Sequence, residues 1–329
     1  MAPENPPPLT PKDIGVPERI HGVELVDPFS WLEQPSALRE RWLDLQNEYT
    51  DSFLQSGPLA EIEQRMKELQ LVGSFQLPVR RGDLVFQWKK SGGDEFPVLY
   101  VLNRAEMTEE RALDPHEFEQ DRVIKDYISP HGRYIAYGTA QQGNEQTVLR
   151  IRDVQIGKDL EETVPNTLEV SVAWLPNETG FYYTRYPDST DPQHMTKRDV
   201  YFHTLGQSAE EDTLIYENTE PGNIWPMVKL SHDQTQIIFS LFHLSGGFDI
   251  AVESINAMPH TNMFETVFNQ DGSVQIDVVD GYLYAISDTI RRIPLENISQ
   301  GGWESMYQPE EGRFINPDNW GTFADNKLI

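Results

Sequence analysis

The chain has 329 residues, with 26 Lys and Arg against 53 Asp and Glu, a formal charge of −27; such a field repels phosphate backbones and anionic bilayers and argues against nucleic acid or a membrane as partner. It contains no cysteine, so disulfides, thiolate metal sites and a cysteine nucleophile are excluded, and a reducing, cytoplasmic setting is expected. Hydrophobic residues make up 38% and aromatics 11%, enough for a packed core, while no run approaches the roughly 18 apolar residues of a membrane span.

The proline-rich stretch 1–35 reads as an extended arm, and its first residues lack the apolar core of a signal peptide. Ser36 is placed to cap a helix in which Leu38, Trp42, Leu45, Tyr49 and Phe53 recur on one face. Gly57-Pro58 breaks that helix, and Pro58 suits the first turn of a second. Its apolar face is Leu59, Ile62, Met66 and Leu69, and Gly73 marks its stop.

From about residue 75 short β-type runs dominate, beginning with Leu84–Trp88 and Val98–Leu102. They continue through Tyr134–Tyr137, Val148–Arg152, Gly180–Thr184, Val200–His203, Leu214–Tyr216, Ile237–Ser240, Ile250–Val252 and Tyr282–Ile286. No later amphipathic run is long enough for a crossover helix, which disfavours a parallel sheet. A unit of polar turn followed by apolar strand recurs, with anchors at 82, 132, 180, 235 and 281, spaced by 50, 48, 55 and 46 residues. About four short strands per unit of this length is the spacing of propeller blades. The expected fold is therefore mainly β, an incomplete β-propeller preceded by a short α-helical segment. Residues 1–73 form the arm and helices, and residues 74–329 form four blades and part of a fifth.

Several blocks resemble prolyl oligopeptidases, the S9 serine peptidases. They are His21-Gly22-Val23, Val26–Glu33 with Trp31, then Trp42 and Gln46-Asn47. The likeness continues through Arg80–Asp83, Ser129–Gly138, Arg152–Val154, Ala173–Leu175, Gly180–Pro187 and Val200–Gly206, and fades beyond about residue 245. The resemblance implies a seven-bladed propeller joined to an α/β-hydrolase domain that carries the Ser, Asp and His triad C-terminal to the blades. That domain would be the partner of this chain. The apolar face of Trp31, Leu32, Trp42 and Phe53 would pack on it, and short proline-containing peptides would be the substrates of the whole enzyme. The propeller's share would be to gate a narrow channel. Two aromatics at its inner rim, Trp225 and Phe242, are the candidate substrate-facing residues; family members can carry a basic residue where this chain has Phe242.

Nothing else in the sequence points to chemistry. A hydrolase nucleophile needs a G-x-S-x-G elbow, and none occurs; Ser245-Gly246-Gly247 lacks the leading glycine. The histidines at 21, 116, 131, 194, 203, 232, 243 and 260 show no H-E-x-x-H. No catalytic residue, cofactor or metal site is assigned. Arg81-Gly82-Asp83 reads as a hairpin turn with Gly82 at positive φ. The pairs Glu109-Glu110, Glu161-Glu162 and Glu310-Glu311 read as solvated surface. Two other readings are a free-standing propeller acting as an interaction scaffold, which needs a closed ring, and a five-bladed glycosidase, which has no use for the N-terminal block. With no elbow and no triad, the chain alone should cleave a fluorogenic Gly-Pro amide no faster than buffer; a rate abolished by a fluorophosphonate would overturn this.

Overall fold

A computed structural model of the chain describes residues 10, 17–55, 58–118, 121–141, 147–167, 170–187, 197–245, 247–255, 265–268, 275–287, 289–310, 323–324 and 327–328. Gly57, His194, Gly246, His260, Glu311 and most of the proline-rich arm before residue 17 lie outside them. The chain divides into two compact units, residues 1–74 with 90–95, and residues 75–89 with 96–329.

The first unit opens with a hairpin of β1 (Pro17–Ile20) and β2 (Val23–Val26). His21 and Gly22 turn it with φ of 50° and 84°, the double positive φ that a two-residue hairpin requires. Helix α1 (Ala37–Gln55) follows. Ser36 is its cap, as expected: its Oγ accepts from the Arg39 N–H at 3.2 Å, and its carbonyl accepts from Glu40 at 2.9 Å. Helix α2 (Leu59–Gln70) starts directly after Pro58. It ends before the stop expected at Gly73. A Cβ at Gly73 would lie 3.0 Å from the Lys90 carbonyl, so that glycine serves a close backbone approach instead of a cap. Among the described residues no helix is long and apolar enough to cross a membrane.

The second unit is five antiparallel sheets. The first holds β3 (Ser74–Phe75), β4 (Val79–Arg81), β5 (Leu84–Lys90), β6 (Val98–Asn103) and β7 (Thr108–Leu113), with β3 and β4 both on β5. The second runs β8 (Asp121–Ile128), β9 (Tyr134–Gln141), β10 (Thr147–Asp153), β11 (Lys158–Val164). The third runs β12 (Val172–Trp174), β13 (Gly180–Arg185), β14 (Asp199–Thr204), β15 (Thr213–Tyr216). The fourth is β16 (Ile224–Leu230), β17 (Gln236–His243), β18 (Phe248–Ser254), β19 (Glu265–Phe268), and the fifth is β20 (Gln275–Val279), β21 (Tyr282–Ile286), β22 (Ile290–Pro294), β23 (Glu304–Tyr307). A two-strand hairpin, β24 (Phe323–Ala324) with β25 (Lys327–Leu328), follows. The fifth sheet is thus complete, where the spacing counted only part of a blade. Its outer strand, Glu-Ser-Met-Tyr, is exposed throughout and carries no apolar run to announce it.

These sheets are the blades of an incomplete propeller, and their cores lie between neighbours. Phe86, Leu99, Leu113, Ile135 and Tyr137 fill the space between sheets one and two. Ala136, Leu149, Ile151, Trp174, Phe181 and Tyr183 fill that between two and three. Tyr182, Val200, Val228, Ile237 and Phe239 lie between three and four, and Ile238, Ile250, Val278 and Leu283 between four and five. Successive strand residues point to opposite faces, so Tyr182 and Tyr183 belong to different cores, as do Ile237 and Ile238.

The repeated turn of the sequence is the first hairpin of each sheet. In the middle three, the residue at positive φ donates its N–H three residues back: Gly132 to Ser129, Glu178 to Leu175 and Gln234 to Ser231, at 2.9–3.0 Å. Gly82, at φ 59°, turns the first, as expected, and Asp280-Gly281 the last. These turns also tie sheets together. Arg81 donates to the Ser129 carbonyl, Glu178 accepts from the Ser129 hydroxyl and the His131 N–H, and Asp277 accepts from the His232 N–H.

Gly180 is a packing glycine. A Cβ there would lie 2.3 Å from the His203 carbonyl, whereas one at Gly138 would meet only Thr147 at 3.8 Å. Gly180→Ala should therefore cost about 1–3 kcal/mol in urea unfolding, and Gly138→Ala should stay within ~0.5 kcal/mol of the parent. Equal effects would contradict this packing.

Candidate functional site

The innermost strand of each sheet faces a common channel. Its lining comes chiefly from β4, β8, β12, β16 and β20, and it encloses about 1040 Å³. Small apolar side chains such as Ala173 and Val228 are interspersed with five charged ones: Arg81, Lys125, Lys229, Asp126 and Asp277.

The five are not equivalent. Lys229 Nζ sits 2.7 Å from Asp277 and 2.9 Å from the Ile276 carbonyl, so this pair is locally neutral. Asp126 accepts from the Trp88 indole N–H at 2.9 Å. Burial pushes its carboxyl above the ordinary value of 3.8, and the Trp88 bond and neighbouring Lys125 oppose this only in part. Lys125 Nζ lies 5.2 Å over the Tyr127 ring. Arg81 gives its Nε to the Ser129 carbonyl at 3.2 Å and one terminal nitrogen to its own neighbour's carbonyl at 3.1 Å. Burial alone lowers its pKa.

Trp225 and Phe242 stand directly opposite each other on β16 and β17. Neither is among the residues lining the channel. The Trp225 ring is covered by the buried Arg198 guanidinium, centred 3.9 Å from it. Phe242 packs on Phe248, ring centres 5.1 Å apart, against the core between sheets four and five.

Sequence reasoning missed the channel cations. Arg81 was visible only as part of a turn, and the signal that would have found it is its position at the end of a unit's first strand. The acidic pairs are partly engaged: Glu109 pairs with Lys89, and Glu162 accepts from the Gly206 N–H at 2.9 Å.

Among the described residues His116 meets Asp114, His203 meets Asp212 and His243 meets Asp249, at 2.7–2.8 Å. His203 resembles the rear of a catalytic triad, but it is fully buried and its Nε2 has no hydrogen-bond partner. It therefore activates no hydroxyl. Among the described residues no three His, Asp or Glu side chains are grouped to hold a metal.

Comparison with known proteins places these features. Residues 8–286 match the family model described as prolyl oligopeptidase, N-terminal beta-propeller domain. The prolyl endopeptidase of Elizabethkingia meningoseptica is 23% identical over 287 residues, covering 84% of this chain and 40% of that protein. A chain from a structural study of two prolyl endopeptidases superposes with a TM-score of 0.78 at 22% identity, covering 93% of this chain and 46% of its own length. Prolyl oligopeptidase B from Galerina marginata, solved with a bound 35-residue substrate, superposes with a TM-score of 0.75 at 17% identity over 92% of this chain and 48% of that one. This chain thus spans less than half the length of these relatives.

The buried Asp126 charge yields a test. A carboxyl with a raised folded pKa is destabilising when ionised, and that cost fades as pH falls through the folded pKa. Asp126→Asn keeps an acceptor for Trp88 and removes the charge. Its urea midpoint should exceed the parent's at pH 7, and the gap should shrink as pH falls towards the ordinary carboxylate value. A constant gap would contradict this.

Proposed function

The chain belongs to the prolyl oligopeptidase N-terminal β-propeller family, and from that premise we propose that it is the substrate-gating propeller region of a prolyl oligopeptidase. In this reading the whole enzyme is a serine endopeptidase hydrolysing short peptides after proline. The triad resides in an α/β-hydrolase domain outside these residues, and a cytoplasmic location belongs to the same proposal. The observation that carries it is the channel: a space of about 1040 Å³ is of the size that encloses a small ligand and far below that of a folded domain. In the ring that the further blades complete, a peptide can enter this space, whereas a folded protein is held back.

The first unit supports the same reading. Trp31 and Trp42 meet edge to face at 6.0 Å, and the Trp42 indole donates to Thr10 at 3.2 Å. Around them the helices bury little. Leu45, Phe53, Ile62, Met66 and Leu69 are 43–56% exposed. Covering one such side chain is worth roughly 1.5–3 kcal/mol, and the hydrolase domain is the occupant we assign to this face.

The scaffold reading retains one observation. The face of sheet one turned away from sheet two carries Lys89 over Tyr100, paired with Glu109. The corresponding face of sheet five carries Arg292 over Tyr282, paired with Glu304. Free-standing repeat arrays use polar outer faces at their ends, though the same two faces here also carry Val98, Val279, Ile286 and Ile290, each 1–4% exposed. Against it, no first-to-last strand pairing closes a ring among the described residues.

Complementation separates the two. A separately produced C-terminal part, carrying further blades and the hydrolase domain, should bind this chain and restore cleavage of a proline-containing octapeptide but not of a folded protein. Trp42→Ala should weaken assembly by a few kcal/mol. Phe242→Ala and Trp225→Ala test the two aromatics: a substrate-facing role alters peptide affinity with assembly intact, and a core role lowers stability. Absence of assembly and activity would return the scaffold reading.

A further inference from the structure

We propose that the propeller channel binds the carboxylate of a peptide, with Arg81 as its anchor and Lys125 as a second positive charge. This rests on the reading of the channel as a passage for peptides and names what the passage recognises.

The case begins with an imbalance. The chain carries 53 acidic residues against 26 basic ones, so a partly buried cation should find a carboxylate easily. Buried Arg152 does, taking Asp159 at 2.8 Å and Glu117 at 3.2 Å. Within the channel Lys229 takes Asp277 at 2.7 Å. Arg81, in the same channel wall, does not. Its hydrogen bonds go to two backbone carbonyls, and no carboxylate among the described residues opposes the burial that lowers its pKa.

A guanidinium withdrawn from water without a counter-charge is costly unless a partner compensates it. Its planar fork matches a carboxylate through two parallel hydrogen bonds. The bonds to Ser129 and Arg80 hold the group in place, so little freedom is lost when a ligand arrives. Lys125 lies on the neighbouring sheet, in the same lining and without an ion pair among the described residues. The other two channel charges of opposite sign are already committed, Asp277 to Lys229 and Asp126 to the Trp88 indole. The channel thus presents net positive charge inside a strongly acidic protein. A peptide's carboxylate is repelled by the outer surface and accepted only inside, which orients the peptide as it enters.

The carboxylate has two sources, the peptide's C-terminus or an acidic side chain, and the test distinguishes them. The 329-residue chain is titrated into three N-terminally fluorescein-labelled octapeptides containing proline, read by anisotropy at low salt. One has a free C-terminus and no acidic residue, one is its C-terminal amide, and one is the amide with a single glutamate. The free acid should bind about tenfold more tightly than the amide, and rising salt should erase the difference. Recovery of affinity by the glutamate peptide would assign the site to carboxylates generally; no recovery would assign it to the C-terminus. Arg81→Gln should abolish the preference and Arg81→Lys should keep part of it. Because Arg81 also bonds Ser129, Lys125→Gln is the second variant, expected to weaken the preference without loss of fold. Equal binding of acid and amide by the parent chain, or no binding of either at millimolar concentration, overturns the proposal. These readouts need no hydrolase domain. Acid preference with failed complementation would sink the gating reading alone, and restored cleavage without acid preference would sink this one alone.

Discussion

The structure of the second unit depends on one constraint: an interior sheet must be apolar on both faces, because a blade has a neighbour on each side. A half-exposed sheet needs every other residue to be apolar; here consecutive residues must be. Phe181, Tyr182 and Tyr183 are all essentially buried, the outer two towards sheet two and the middle one towards sheet four. Each such side chain contributes roughly 1.5–3 kcal/mol, and no sheet can collect that alone. Stability is therefore a sum over contacts between neighbours. The ends of the array are its weak points, and an ion pair is laid over Tyr100 at one and over Tyr282 at the other.

The same stacking leaves the inner strands facing a common space, and this couples architecture to function. Arg81 shows the coupling most directly. Its Nε ties the first sheet to the second through Ser129, while its position places the remaining donors in the channel lining. One side chain thus holds two blades in register and presents charge to whatever enters. Asp126 plays a different part: it accepts from the Trp88 indole of the adjacent sheet, and burial raises its pKa above the ordinary carboxylate value.

The first unit follows a different rule. Its helices have amphipathic spacing, and Ser36 caps α1, but they have almost nothing beneath them, and α2 buries no residue. Local signals are enough to form such helices only weakly in isolation. Leu45, Phe53, Ile62, Met66 and Leu69 on these helices are left 43–56% exposed.

Much of this fold was readable in the sequence because the signals are local and repeated. The capping serine at 36, the glycine turn at 82, the unbroken runs such as Ile237–Ser240 and the spacing of about fifty residues between turns each depend on a few neighbouring residues, and together they determined a propeller. The polar fourth strand of the last sheet escaped notice, since Glu304–Tyr307 owes its pairing to β22 and not to its own composition. For Trp225 and Phe242 the family resemblance implies a place facing the substrate, which the variants proposed above test. Only the tertiary structure decided that one lies beneath Arg198 and the other against Phe248. It also decided that Arg81, read as part of a turn, lines the channel. The reason is physical: whether a strand residue meets a core or a cavity is set by which sheet stacks beside it, and that neighbour lies some fifty residues away along the chain.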